Sequence, residues 1–268
     1  MRDMKSETKT KISYILWPAL YFALAIVLSV SISIFATKTG YTRIFVSGTS
    51  MNPTLDGGNG NIGDTVDFGY ADPSKQAIDN LKRFNIVTTY YPNKWQHEDY
   101  DSTGKLLPNA SYKIKRVIGF PEEIINLWVD NDDNRTCHIN ITNGQSSITY
   151  TYNDEDKGWH TSVDEKDHLY KFEIKHSTIT HETASKNFTT RLGKNEYFLM
   201  GDNWDVSSDS STNMCSGETN KKHITKDNLQ GVLVAIEGKA TIAIDQKTGS
   251  KTVDNLKYTT TKYYYQEL

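Results

Sequence analysis

The chain has 268 residues, 6 of them Pro, 17 Gly and 2 Cys, with a net charge of −3. That length supports one large domain or two small ones with a real core. Ordinary glycine and scarce proline exclude collagen-like and low-complexity chains, two cysteines cannot knit a disulfide scaffold, and the slight acidity argues against a nucleic-acid partner.

The first element is a run without charge, residues 12–36 (ISYILWPALYFALAIVLSVSISIFA). At about 1.5 Å per residue a helix of this length reaches roughly 37 Å, enough to cross a bilayer core of about 30 Å with some tilt. It is longer than the roughly 7–15 apolar residues of a cleaved export signal. The run is therefore read as a single transmembrane helix rather than a buried core helix. Arg2, Lys5, Lys9 and Lys11 precede it and only Lys38 and Arg43 follow closely. That bias predicts a cytoplasmic tail over 1–11 and a domain outside the cytoplasmic membrane, with membrane lipid as a neighbour.

Beyond the span the pattern is mainly β. TRIFV, DTVDFGY, NIVTTYY, YKIKRVIGF, IINLWV, YFLM and GVLVAIEG mix branched and aromatic residues between Gly, Pro and Asn. Between 130 and 195 Asn, Asp, Thr, Ser, Lys and His dominate, with strands suggested at SSITYTY and LYKFEIK. This predicts a β core in two parts, 37–129 and 196–268, interrupted by a polar β-rich cap over 130–195. The tail from Lys239 is polar and Tyr-rich and carries no nameable chemistry.

Three segments concentrate reactive groups. Ser47-Gly-Thr-Ser50-Met-Asn-Pro53-Thr54 puts a serine after an apolar run and before a proline turn, where it is held exposed; most such serines are only turn residues. Tyr112-Lys-Ile-Lys115-Arg116-Val-Ile-Gly-Phe-Pro121 sends Lys113 and Lys115 to one face of a strand, either solvated or buried with a lowered pKa. Met200-Gly-Asp202-Asn-Trp-Asp-Val-Ser207-Ser-Asp209-Ser210 follows an apolar strand and could equally be a hydrogen-bonded surface turn.

Other matches are discarded. Gly58-Asn-Gly60-Asn-Ile-Gly63 fits a dinucleotide fingerprint but precedes a strand-like run, not the helix that would face a pyrophosphate. Ser6–Lys9 and Lys247–Gly249 resemble boxes of penicillin-recognising enzymes, but the predicted membrane separates them. No metal-ligand spacing exists among the scattered histidines, so neither metal nor cofactor is expected. Cys137 and Cys215 could pair or stay free.

In this order and behind an N-terminal anchor, SGTSMNPT, RFNIVTTY, YKIKRVIGFP and MGDNWDVSSDS resemble the bacterial type I signal peptidase family. Gly63-Asp64 and the strand at Gly231 also fall at comparable places, and Lys115 stands where reticulum-type relatives carry His. The resemblance implies a β-sheet catalytic domain with Ser50 as nucleophile and Lys115 as general base. It implies Ser207 as a hydrogen-bond partner of that lysine, and Arg116, Asp202 and Asp209 as support. Ile44, Val46, Gly48, Met51 and Ile114 are implied to bind substrate, namely secreted preproteins with small residues one and three before the cut.

Several positions depart from the family pattern. Trp204 and Ser211 stand where the family has arginine, leaving Arg116 as the basic partner for two carboxylates. Pro121-Glu122-Glu123 replaces Pro-Gly-Asp, and Gly48 lacks the hydroxyl that some relatives aim at the oxyanion. The expected activity is signal-peptide cleavage. The alternative is an assembly factor on the same scaffold, non-enzymatic or dedicated to pili, with pilin or pilus-assembly proteins as partners.

Overall fold

A computed structural model describes residues 21, 40–129, 137–144, 147–153, 158–161, 188–203, 206–211 and 223–264. The chain divides into two compact units, Met1–Tyr41 and Thr42–Leu268. The predicted span over 12–36 lies outside the described residues apart from Tyr21. Among the described residues no helix is long and apolar enough to cross a membrane.

The second unit is mainly β, in two sheets. The larger contains β1 (Thr42–Phe45), β2 (Thr65–Asp72), β3 (Ile86–Thr89), β4 (Lys113–Gly119), β10 (Glu196–Met200), β11 (Ile224–Thr225), β12 (Leu229–Ile244) and β13 (Lys251–Tyr263). Its order is β1-β2-β12-β3-β4-β10-β11, with β13 added on β12. The 16-residue β12 pairs with β3 at its start and with β2 and β13 further on. Register shifts at Leu233/Ala235 and Ile236/Gly238 mark irregularities of the kind that bend a strand. The tail read as featureless is thus the far half of a long hairpin. Lys247–Gly249 lies in its turn, where Gly249 takes φ +69° and donates to the Asp245 carbonyl.

The smaller sheet has order β8-β7-β6-β5-β9, from β5 (Ile124–Val129), β6 (Cys137–Thr142), β7 (Ser147–Asn153), β8 (Gly158–Thr161) and β9 (Phe188–Arg191). It takes in IINLWV, ahead of the expected boundary at 130. Its buried side carries Ile125, Leu127, Ile139 and Ile141, while Asn126, Asn140, Thr149 and Thr189 hydrogen-bond to one another across the strands. The LYKFEIK run, Cys215 and Trp204 lie outside the described residues.

One strand positions the chemistry. β4 is buried from Ile114 to Gly119, because both faces of the sheet are covered. Ile44, Ile86, Ile114 and Leu233 share one core cluster, and Val87, Val117, Leu199 and Val232 another. Neighbouring residues on a strand point to opposite faces, so Lys115 and Arg116 are carried into two different interiors, each only 4% exposed.

The turn after β4 accounts for one departure from the family pattern. Glu122 adopts φ +68°, left-handed backbone that favours glycine. Glu123 then accepts from the Phe120 N–H at 2.7 Å and from both Arg83 terminal nitrogens at 3.0 and 2.6 Å. Glu123 therefore ties the turn to Arg83 and to its own backbone.

Candidate active site

The loop after β1 is built by close backbone approach. Val46 N–H donates to the Asp67 carbonyl at 2.9 Å, and Gly48 N–H donates to the Gly57 carbonyl at 2.8 Å. A Cβ on Gly57 would lie 2.2 Å from the Gly48 carbonyl oxygen, and Gly48 itself has φ +92°, so both positions require glycine. A side chain at Gly48 would meet open space but strained backbone. The chain then turns through Ser50, with Leu55 N–H donating to the Met51 carbonyl at 3.0 Å. The Gly58–Gly63 match is the remainder of this loop: Asp64 accepts from Asn59 and Asn61 N–H at 2.8 and 2.9 Å, and a strand follows.

Lys115 reaches this loop from β4. Its Nζ donates to Ser50 Oγ at 2.8 Å. Burial strips water from the amine and lowers its pKa from 10.5 to about 8; Asp209 opposes the shift, Lys113 adds to it, and Asp202 opposes it. With its pKa brought near 8, a neutral fraction of the amine is available close to ordinary pH, and a hydroxyl bonded to it can be deprotonated as it attacks a carbonyl.

On the opposite face of β4, Arg116 Nε donates to Asp202 Oδ1 at 2.8 Å and Nη2 to Oδ2 at 2.5 Å. The pairing of β10 with β4 accounts for the meeting: Met200 lies opposite Arg116, so Asp202 emerges beside the guanidinium. Arg116 Nη1 also donates to the Phe84 carbonyl at 2.8 Å, and Thr54 Oγ1 donates to Asp202 Oδ2 at 2.5 Å. Thr54 and Asn203 had no role assigned from sequence, though both sit inside the quoted boxes. Asn203 holds the Ser50 loop directly, its N–H donating to the Ser50 carbonyl at 3.0 Å and its Nδ2 to the Thr49 carbonyl at 3.1 Å.

Asp209 is the hub of the other half. It accepts from Gly201 N–H at 2.8 Å, from the Ser207 hydroxyl at 2.5 Å, and from Ser211 N–H and Oγ at 2.9 and 2.6 Å. The expected salt link from Arg116 is therefore made as a fork to Asp202, while Asp209 orders its own turn, with Ser211 as a ligand where the family has arginine. The Ser207 hydroxyl donates to Asp209, across Gly201 from the Ser50 carbonyl. A Cβ on Gly201 would lie 2.3 Å from Ser207 Oγ and 2.4 Å from the Ser50 carbonyl oxygen.

A cavity of about 350 Å³ opens on the pair, lined by Val46, Ser50, Met51, Tyr112, Ile114 and Lys115 among others. Val46, Met51 and Ile114 thus line the same cavity as Ser50 and Lys115. Ile44 is packed in the core cluster beside them and is absent from this lining.

A sequence model of the family described as signal peptidase, peptidase S26, matches residues 17–236. That is well over half of the chain, which belongs to this family of signal-peptide-cleaving serine peptidases. No curated protein matches it.

Proposed function

We propose that this member of the signal peptidase family is a serine endopeptidase anchored through residues 12–36, with Ser50 as nucleophile and Lys115 as general base. The observation that carries the reading is the 2.8 Å hydrogen bond from the buried Lys115 amine to Ser50 Oγ. Neutral Lys115 takes the hydroxyl proton as Ser50 Oγ bonds to the scissile carbonyl carbon. The carbon–nitrogen bond then breaks, the departing amine takes the proton from Lys115, and the signal peptide remains as an ester on Ser50. Water, deprotonated by Lys115 in its turn, hydrolyses that ester. The Ser50 N–H, without a hydrogen-bond acceptor among the described residues, is the oxyanion donor.

The paired dyad supports an enzyme over a non-enzymatic assembly factor. The substrates are preproteins whose signal segments end in small residues, and the apolar Val46, Met51 and Ile114 side chains that line the cavity would meet them. The test is cleavage of a preprotein by the purified full chain beside its Ser50→Ala form. Cleavage should vanish with the hydroxyl, and equal turnover by the two proteins would overturn the dyad.

A further inference from the structure

β1 lies at the end of its sheet, and among the described residues it pairs with β2 alone. In an antiparallel pair, alternate residues turn N–H and C=O toward opposite edges. Val46 donates to β2's Asp67, so Phe45 faces the open edge, along which an extended peptide would add as a further strand. That edge is already occupied at one point. The Tyr112 hydroxyl accepts from Phe45 N–H at 3.0 Å and donates to the Phe45 carbonyl at 3.2 Å. Its ring meets the Phe45 ring edge-on, 6.4 Å between centroids at 69°. Tyr112 and Phe45 both line the cavity that holds Ser50 and Lys115.

We infer that Tyr112 is a gate in the peptide groove, its hydroxyl standing in for the one backbone N–H and one C=O that a bound segment would exchange with Phe45. A phenol oxygen can do both because it donates and accepts at a single atom. Binding then requires the segment to displace the hydroxyl, which selects chains able to offer a free N–H and C=O at that position. A proline there replaces only half of what it removes.

This inference rests on reading the cavity as a peptide groove, and its test separates the two. A fluorescent synthetic peptide with an Ala-x-Ala cleavage site is titrated into the full chain carrying Ser50→Ala, alone and combined with Tyr112→Phe or Tyr112→Ala. Removing the hydroxyl should tighten binding about tenfold, since two hydrogen bonds no longer compete. Tyr112→Phe keeps the ring and so guards against a folding defect in Tyr112→Ala. In the same proteins the Phe45 amide should exchange slowly with Tyr112 present, faster in Tyr112→Phe, and slowly again when peptide is added to that variant. Equal or weaker binding by both variants overturns the gate alone, as does a Phe45 amide equally slow with and without the hydroxyl. A peptide that binds none of the forms overturns the gate together with the groove.

Discussion

Arg116 and Asp202 meet as a two-pronged ion pair, at 2.8 and 2.5 Å, on the face of β4 opposite Lys115. Both side chains are almost fully enclosed. A pair of this kind adds little stability over an apolar replacement, but removing one partner strands the other charge in the interior. Asp202→Ala should therefore cost about 3–5 kcal/mol. Asp209→Ala, which frees neutral donors from a turn, should cost about 1–3 kcal/mol. Denaturant titration of the two variants measures both, and two silent substitutions would remove the support role from this segment.

The pH dependence of turnover follows from the Lys115 amine. With a pKa lowered to about 8, the neutral base grows tenfold per pH unit below that value and saturates above it. kcat/KM should rise along a limb of unit slope and level off above about pH 8. A rate flat between pH 5 and 9 would exclude a lysine base. Lys115→Arg should be inactive throughout, since guanidinium cannot give up its proton in this range.

Stability should also rise with pH at this residue, but over a higher range than activity. The folded-state pKa lies below the unfolded 10.5, so between pH 8 and 10.5 the unfolded chain binds more protons. The cost of enclosing Lys115 is fully present below pH 8, fades as pH rises from 8 to 10.5, and is nearly gone at 10.5. Lys115→Met should then stabilise the domain at pH 7 by up to about 3 kcal/mol, with little gain at pH 10.5. Parallel unfolding curves at the two pH values test this.

Gly201 separates Ser207 from the Ser50 carbonyl with no room for a methyl group. Gly201→Ala should push the Ser50 loop off its geometry, and a displacement near 1 Å costs on the order of a hundredfold in rate. The expected result is a folded protein with kcat/KM down by about that factor. Wild-type kinetics would mean that the loop yields freely.

Ile114 contributes both to the cavity and to the core beneath it. Peptides with Ala before the cut should be cleaved and those with Leu or Phe refused. Ile114→Ala should relax that preference rather than stop turnover. Efficient cleavage after Phe by the unmodified chain would refute the small-residue preference.

The strands that build the centre were legible because β3 and β4, buried along almost their whole length, are rich in branched residues even where threonine, lysine and arginine interrupt them. The far part of the β12–β13 hairpin was not: GVLVAIEG reads as a strand, but no residue of β13 is buried, and KATIAI and TVDNLKY read as a polar tail. The dyad residues stand inside a local motif, and resemblance could point to Ser50 and Lys115. Which aspartate takes Arg116 could not be read locally, since that choice depends on Met200 lying opposite Arg116 across two strands. The Tyr112 hydroxyl meets Phe45 across 67 residues of chain, and nothing in either segment marks the partner.

Adjacent positions on β4 serve two different interiors, so the strand tolerates no change in its count of residues. Deleting one residue between Lys113 and Gly119 would exchange the two faces, sending a guanidinium toward Ser50 and an amine toward Asp202. The connection from β3 to β4 runs over exposed turns such as Ser102–Lys105 and can lengthen or shorten without that exchange. Lineages of this chain should therefore vary in length before β4 and hold it constant within.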